Sequence, residues 1–140
     1  MPNPTHADPS SETTNLPPFT TVNQTLSQIP IDAPDHDPAS IIFPTNKRLR
    51  SWDGNAILPR AMTTSGGQNY HPSGKRDFTL REYAALQGFP PNHVFVGSYV
   101  KKQIGNAVPP VVAKVLFESI KRQLDEIDGV VQEKETMVID

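Results

Sequence analysis

Cysteine is absent from all 140 residues. That excludes disulfides, thiolate metal sites and any cysteine nucleophile supplied by this chain. Long apolar runs are missing too: no 18-residue stretch is apolar enough to cross a bilayer. The first residues lack the basic and apolar regions of a secretion signal, so a soluble, intracellular chain with no membrane partner is expected. The four histidines (His6, His36, His71, His93) show no i,i+4 pairing, and no metal site is expected. Lysine and arginine do not occur before Lys47, whereas that stretch holds five acids and nine of the fifteen prolines. Such a segment buries too little apolar surface to offset its ordering entropy, so residues 1–40 are expected to be a mobile, proline-rich lead.

The net charge of −2 conceals an uneven distribution. Lys47 to Arg122 holds twelve basic residues against four acids, and the tail from Gln123 holds six acids and one lysine. A basic centre with acidic ends suits a polyanion partner, although ordinary solvated charge gives the same counts. Within the centre, Lys47, Arg48 and Arg50 flank Trp52 and an Asp53-Gly54 turn signal, and Thr63, Thr64, Gly66 and Gly67 belong to a glycine-bearing loop. Val22, Leu26 and Ile29 fall at helical spacing, and the run Ile41–Phe43 before Pro44 reads as a short edge strand.

Two helices are written more fully. In RDFTLREYAALQGFPP, Thr79 and Glu82 form a capping box, and Phe78 and Tyr83 occupy the two positions of a hydrophobic staple. Gly88 is placed to end that helix in a left-handed residue, and Pro90-Pro91 forbid continuation, giving a helix over about 80–87. The second runs over about 110–128. Val112, Val115, Leu116, Ser119, Leu124 and Ile127 make its apolar stripe, and Gly129 is its expected stop before a frayed tail. Its entry, QIGNAVPP, is unusual. Proline is tolerated in a first turn, Gly105 permits close approach and Asn106 can fix a turn. Such a start with free amides suits an anionic or polar ligand, and equally a helix cap with no ligand.

The segment holding Arg76, Thr79, Arg81, Glu82, Leu86, Gln87, Phe89 and Pro90, followed by Gln103, Ile104, Gly105, Asn106, Val108, Pro109 and Pro110, resembles the last two shared motifs of the DNA (cytosine-5) methyltransferases. The resemblance is firm over about residues 70–120 and looser upstream. It implies an α/β fold: the C-terminal fragment of a Rossmann-like, S-adenosylmethionine-dependent methyltransferase, mainly coil here with two helices and a few short strands. Residues 41–78 would be a target-recognition remnant, 79–128 an organising helix and a terminal cofactor-closing helix, and 129–140 the frayed tail. Arg76, Thr79, Arg81 and Glu82 would organise the recognition region against the catalytic domain, with the bland reading that the arginines pair with surface acids. Gly105, Asn106, Ala107 and Val108 would complete the S-adenosylmethionine pocket.

The implied activity is methyl transfer to cytosine in double-stranded DNA, with nuclear location in a eukaryote and cytoplasmic location otherwise. Lys47, Arg48, Arg50, Thr63, Thr64, Gly66 and Gly67 would approach DNA, or else form a solvated loop, and Lys101 and Lys102 would face solvent. Because no residue of this chain can be the thiolate nucleophile, the isolated chain is expected to be inactive. Two alternatives stand beside this reading: a non-catalytic DNA-binding or regulatory module, and one half of a split enzyme that docks on a separate catalytic chain.

Overall fold

The computed structural model describes residues 2–7 and 15–137, with side chains as far as Val130. Four helices carry the architecture: α1 (Val22–Ser27), α2 (Leu80–Leu86), α3 (Val100–Asn106) and α4 (Pro110–Met137). Short 3-10 turns cover Pro38–Ile41 and Thr45–Lys47. No helix is long and apolar enough to cross a membrane among the described residues.

Helix α2 is the hub. Its capping box forms as the residue types require: Glu82 N–H donates to Thr79 Oγ1 (3.0 Å) and Thr79 N–H donates to Glu82 Oε2 (2.8 Å). Phe78 and Tyr83 then meet edge to face, with ring centroids 5.4 Å apart. Gln87 ends the helix and Gly88 follows with φ 84°, where a side chain would be strained. Helix α1 repeats the device, with Thr21 and Gln24 as its box. The packing of α1 and α3 on α2 gathers Val22, Phe78, Tyr83, Ala84 and Ile104 into the buried core. Leu26, Trp52, Leu58, Met62, Phe89 and Phe95 pack around it.

Several expectations are corrected here. The boundary at residue 40 does not separate a loose lead from a packed body. Val22 is buried in the core, and Arg81 of α2 donates from Nε to Pro34 O (2.8 Å). The lead is held because Arg81 offers donors to its carbonyls, a partner that its own composition does not reveal. Residues 8–14 lie outside the described residues, as do 138–140 of the tail.

The few short strands reduce to isolated bridges among the described residues, including Ile42 with Arg76. Phe43, Leu49 and Trp52 donate their amides in turn to Lys75, Gly74 and Pro72. A regular ladder cannot form because Pro44 and Pro72 lack an N–H and Gly74 is left-handed (φ 67°).

Helix α3 was not expected. The Gly105-Asn106 pair ends it and is not a bend at the mouth of the next helix. Helix α4 does begin at Pro110, but it continues through Gly129 to Met137 instead of stopping at about 128. A glycine costs a helix interior only about 1 kcal/mol, and neighbouring Asp128 and Val130 are ordinary helix residues.

Candidate functional site

Of the four residues expected to organise this region, Arg76, Thr79 and Glu82 form one connected node, and Arg81 makes a separate set of contacts. Arg76 grips Glu82 through two parallel bonds, Nη1 to Oε2 (2.7 Å) and Nη2 to Oε1 (2.8 Å), the bidentate geometry that favours arginine over lysine. Burial pushes the Glu82 carboxyl up, but the Arg76 bonds and the Thr79 amide outweigh it and hold the group below its ordinary 4.5. Besides accepting the Glu82 amide, the Thr79 hydroxyl shares a hydrogen bond with His36 Nδ1 (2.9 Å).

Arg81 is 1% exposed. Its guanidinium donates to Pro34 O and His93 O (2.8 and 2.7 Å), with a longer contact to Pro90 O, and lies 5.7 Å from the Phe95 ring centre. The surface-acid alternative does not describe Arg76, which pairs with a buried glutamate. Arg81 does pair with the exposed Asp35, at 4.0 Å, and its shorter bonds tie two stretches of coil to α2.

Residues of the second motif are joined to the first. Gln87 Nε2 donates to Ala107 O (2.7 Å), so the C-cap of α2 fixes the exit from α3. Gln103 Nε2 donates to the carbonyls of Val96 and Ser98. Gly105, Asn106, Ala107 and Val108 are contiguous but unequal. Ala107 has both backbone polar groups satisfied, its N–H donating to Ile104 O (3.2 Å). Asn106 and Val108 are exposed. The space beside Gly105 is filled by the backbone of Thr63 and Thr64.

The candidate DNA residues divide into two places. Lys47, Arg48 and Arg50 are exposed along the 43–52 segment. Arg48 shares a cleft of about 410 Å³ with Lys75, Ser73, Arg76 and Ile42. Thr63 and Thr64 are exposed, whereas Gly66 is buried. That glycine approaches Tyr83 and Lys101 of its own fold, so its backbone is not what a partner would meet.

Lys101, expected to face solvent, is turned inward. It pairs with Asp77 Oδ2 (3.2 Å) and lies 4.4 Å from the Tyr83 ring centre. Burial, with the bond to Asp77, pushes the Tyr83 phenol far above its ordinary 10.0, keeping it a donor to Asp77 Oδ1 and Asn69 O. Gln87 stands in the first motif of the sequence, whereas Asn69 and Lys75, isolated polar residues in coil, carry no sequence signal. Among the described residues, no three His, Cys, Asp or Glu side chains come together as a metal site would need.

The Gln87–Ala107 bond thus joins the segments that carry the two motifs. The profile of the C-5 cytosine-specific DNA methylases matches residues 17–122, and the chain belongs to that family. Among relatives, the rice protein "DNA (cytosine-5)-methyltransferase 1B" is 41% identical over 81 residues, covering 53% of this chain and 5% of its own length. "Type II methyltransferase M.Eco47II" of Escherichia coli is 39% identical over 84 residues, covering 58% of this chain and 20% of its own length. "Type II methyltransferase M.NgoFVII" of Neisseria gonorrhoeae is 30% identical over 178 aligned residues, which take in 99% of this chain and 47% of the relative. The chain thus spans between about a twentieth and about half of the length of these relatives. No solved structure matches it significantly.

Proposed function

We propose that these residues are the DNA-contacting and cofactor-closing C-terminal part of a DNA (cytosine-5) methyltransferase. The observation that carries this reading is the Gln87–Ala107 bond. It makes the recognition-side helix and the segment ending at Val108 one rigid piece, within the stretch that matches the family profile.

In the whole enzyme, a Rossmann-like α/β domain outside these residues would bind S-adenosylmethionine, which supplies the methyl group. Asn106 and Val108 would close one side of that pocket, the amide by hydrogen bonding and the valine by excluding water. Lys47, Arg48, Arg50 and Lys75 would neutralise phosphates of double-stranded DNA, which positions the duplex without reading its sequence. The thiolate that attacks cytosine must come from elsewhere, since this chain contains no cysteine. Nuclear location would follow in a eukaryote, and cytoplasmic location otherwise.

A second polypeptide surface, in the same enzyme or in a separate catalytic chain, is supported by α4. Its Phe117, Ile120, Leu124 and Ile127 are all at least half exposed, an apolar stripe left uncovered among the described residues. The test combines fluorescence anisotropy on labelled duplex with a methyl-transfer assay. The chain should bind duplex with an affinity falling steeply with salt, and should transfer no methyl group alone. Salt-independent binding, no binding, or turnover by the pure chain would each sink the proposal.

A further inference from the structure

Gly105 sits in the last turn of α3, where glycine is unfavourable by about 1 kcal/mol relative to alanine. The structure gives the reason for it. A β-carbon at this position would overlap the carbonyl of Thr63 and the amide of Thr64, which are main-chain atoms that cannot swing aside. One turn earlier on α3, Lys101 closes over Gly66 together with Tyr83 of α2, and Gly66 has φ 90°.

The loop is fastened through its main-chain groups, by its own backbone and by the side chains of Asn69 and Tyr83. Gly66 N–H donates to Thr63 O (2.8 Å), Asn69 Nδ2 donates to Gly66 O (2.8 Å), and the Tyr83 hydroxyl donates to Asn69 O (2.9 Å). Each of these contacts holds backbone. The side chains of Thr63, Thr64 and Ser65 are left exposed, with the Thr63 and Ser65 hydroxyls 3.3 Å apart.

We propose that Gly105 is a positioning residue for DNA: it seats the Thr63–Ser65 turn so that the Thr63 and Thr64 hydroxyls donate to phosphate oxygens of the duplex backbone. The inference rests on the DNA-contacting function proposed above and changes the expected role of the loop. Its glycines bring it close to its own protein, and its hydroxyls face the partner. It also seats the turn that makes the phosphate contact against the helix whose last residue is Asn106, so the two halves of the site rest on one short element.

A double-mutant cycle on the full chain tests this, with duplex affinity read by anisotropy. Gly105→Ala and the shape-preserving pair Thr63→Val/Thr64→Val should each weaken binding about a hundredfold, the loss expected for two hydrogen bonds to a charged acceptor. Combined, they should weaken it no further, because both remove the same contacts. Hydrogen exchange at residues 63–66 should speed up in Gly105→Ala while the thermal transition stays cooperative.

Should Gly105→Ala fail to fold, Tyr83→Phe takes its place, since it cuts the bond to Asn69 and changes no charge. Losses that multiply in the combined variant, or a Gly105→Ala chain that binds like wild type, overturn the inference and leave the proposed function standing. A wild-type chain that does not bind duplex overturns both.

Discussion

Replacing Arg81 with methionine keeps an apolar stem of similar reach and deletes the guanidinium. Two short bonds to Pro34 O and His93 O disappear, at about 1.5 kcal/mol each for a charged donor. The low end applies because both acceptors lie in exposed segments that water can rehydrate. Loss of the contact with Phe95 adds about 0.5 kcal/mol. The total, about 3–4 kcal/mol, is a large share of the roughly 5–15 kcal/mol typical of a folded domain.

Lysine would keep the charge but, as a single point donor, could not span two carbonyls on separate segments, so Arg81→Lys should lose about half as much. Asp35→Asn should cost less than about 0.5 kcal/mol, because that carboxylate is 4.0 Å away and half exposed. Urea unfolding followed by the fluorescence of Trp52, the single tryptophan, measures all three; midpoints should move while the slope holds. An Arg81→Met chain within about 1 kcal/mol of wild type, or a lysine variant equal to arginine, would refute the reasoning.

Other outcomes follow from the same structure. Burial and neighbouring Arg76 hold the His71 imidazole below its ordinary 6.5, and its Nδ1 accepts the Ser73 amide (3.2 Å). A lowered histidine favours the neutral form in the fold, so stability is lost as pH falls below about 6.5. The lowered Glu82 carboxyl adds a second loss beginning near 4.5 and continuing through its folded value. Melting temperature against pH should show both windows, and His71→Asn should remove the upper one only. Gly129→Ala should stabilise the chain by about 0.5–1 kcal/mol, since the position is helical and no atom lies within 4 Å of the added carbon. Gly74→Ala should do the reverse by more than about 1 kcal/mol, because φ is 67° and the carbonyl of Leu49 occupies the space.

Local chemistry was legible in the sequence wherever partners lie within one turn. The Thr79–Glu82 box and the Phe78–Tyr83 staple involve residues three and five apart, so their spacing alone specifies the contact. Helix α3 was hidden for a related reason. It starts after Tyr99, left-handed at φ 62° and offering no side-chain cap, and its last turn holds Gly105, required there by the backbone of Thr63 and Thr64. Gly129 misled in the opposite direction, since a glycine ends a helix only when the chain has somewhere else to go. The node around Arg81 joins residues 47 apart, and no periodicity or cap encodes which carbonyls it will find.

That last property bears on how the molecule reaches its fold. Helix α2 has seven residues, far fewer than an isolated helix needs in water. What holds it in place comes from distant coil: Pro34 and His36 from 47 and 43 residues away, Asn69 from 14, Ala107 from 20. Large loops must close before any of these bonds can form, and no hairpin among the described residues offers an early foothold. These separations predict that the search for remote partners, and not helix formation, sets the folding rate. Refolding should be slow for a chain this short, and Arg81 substitutions should slow it further if those contacts belong to the rate-limiting step, which stopped-flow kinetics on the methionine variant would decide.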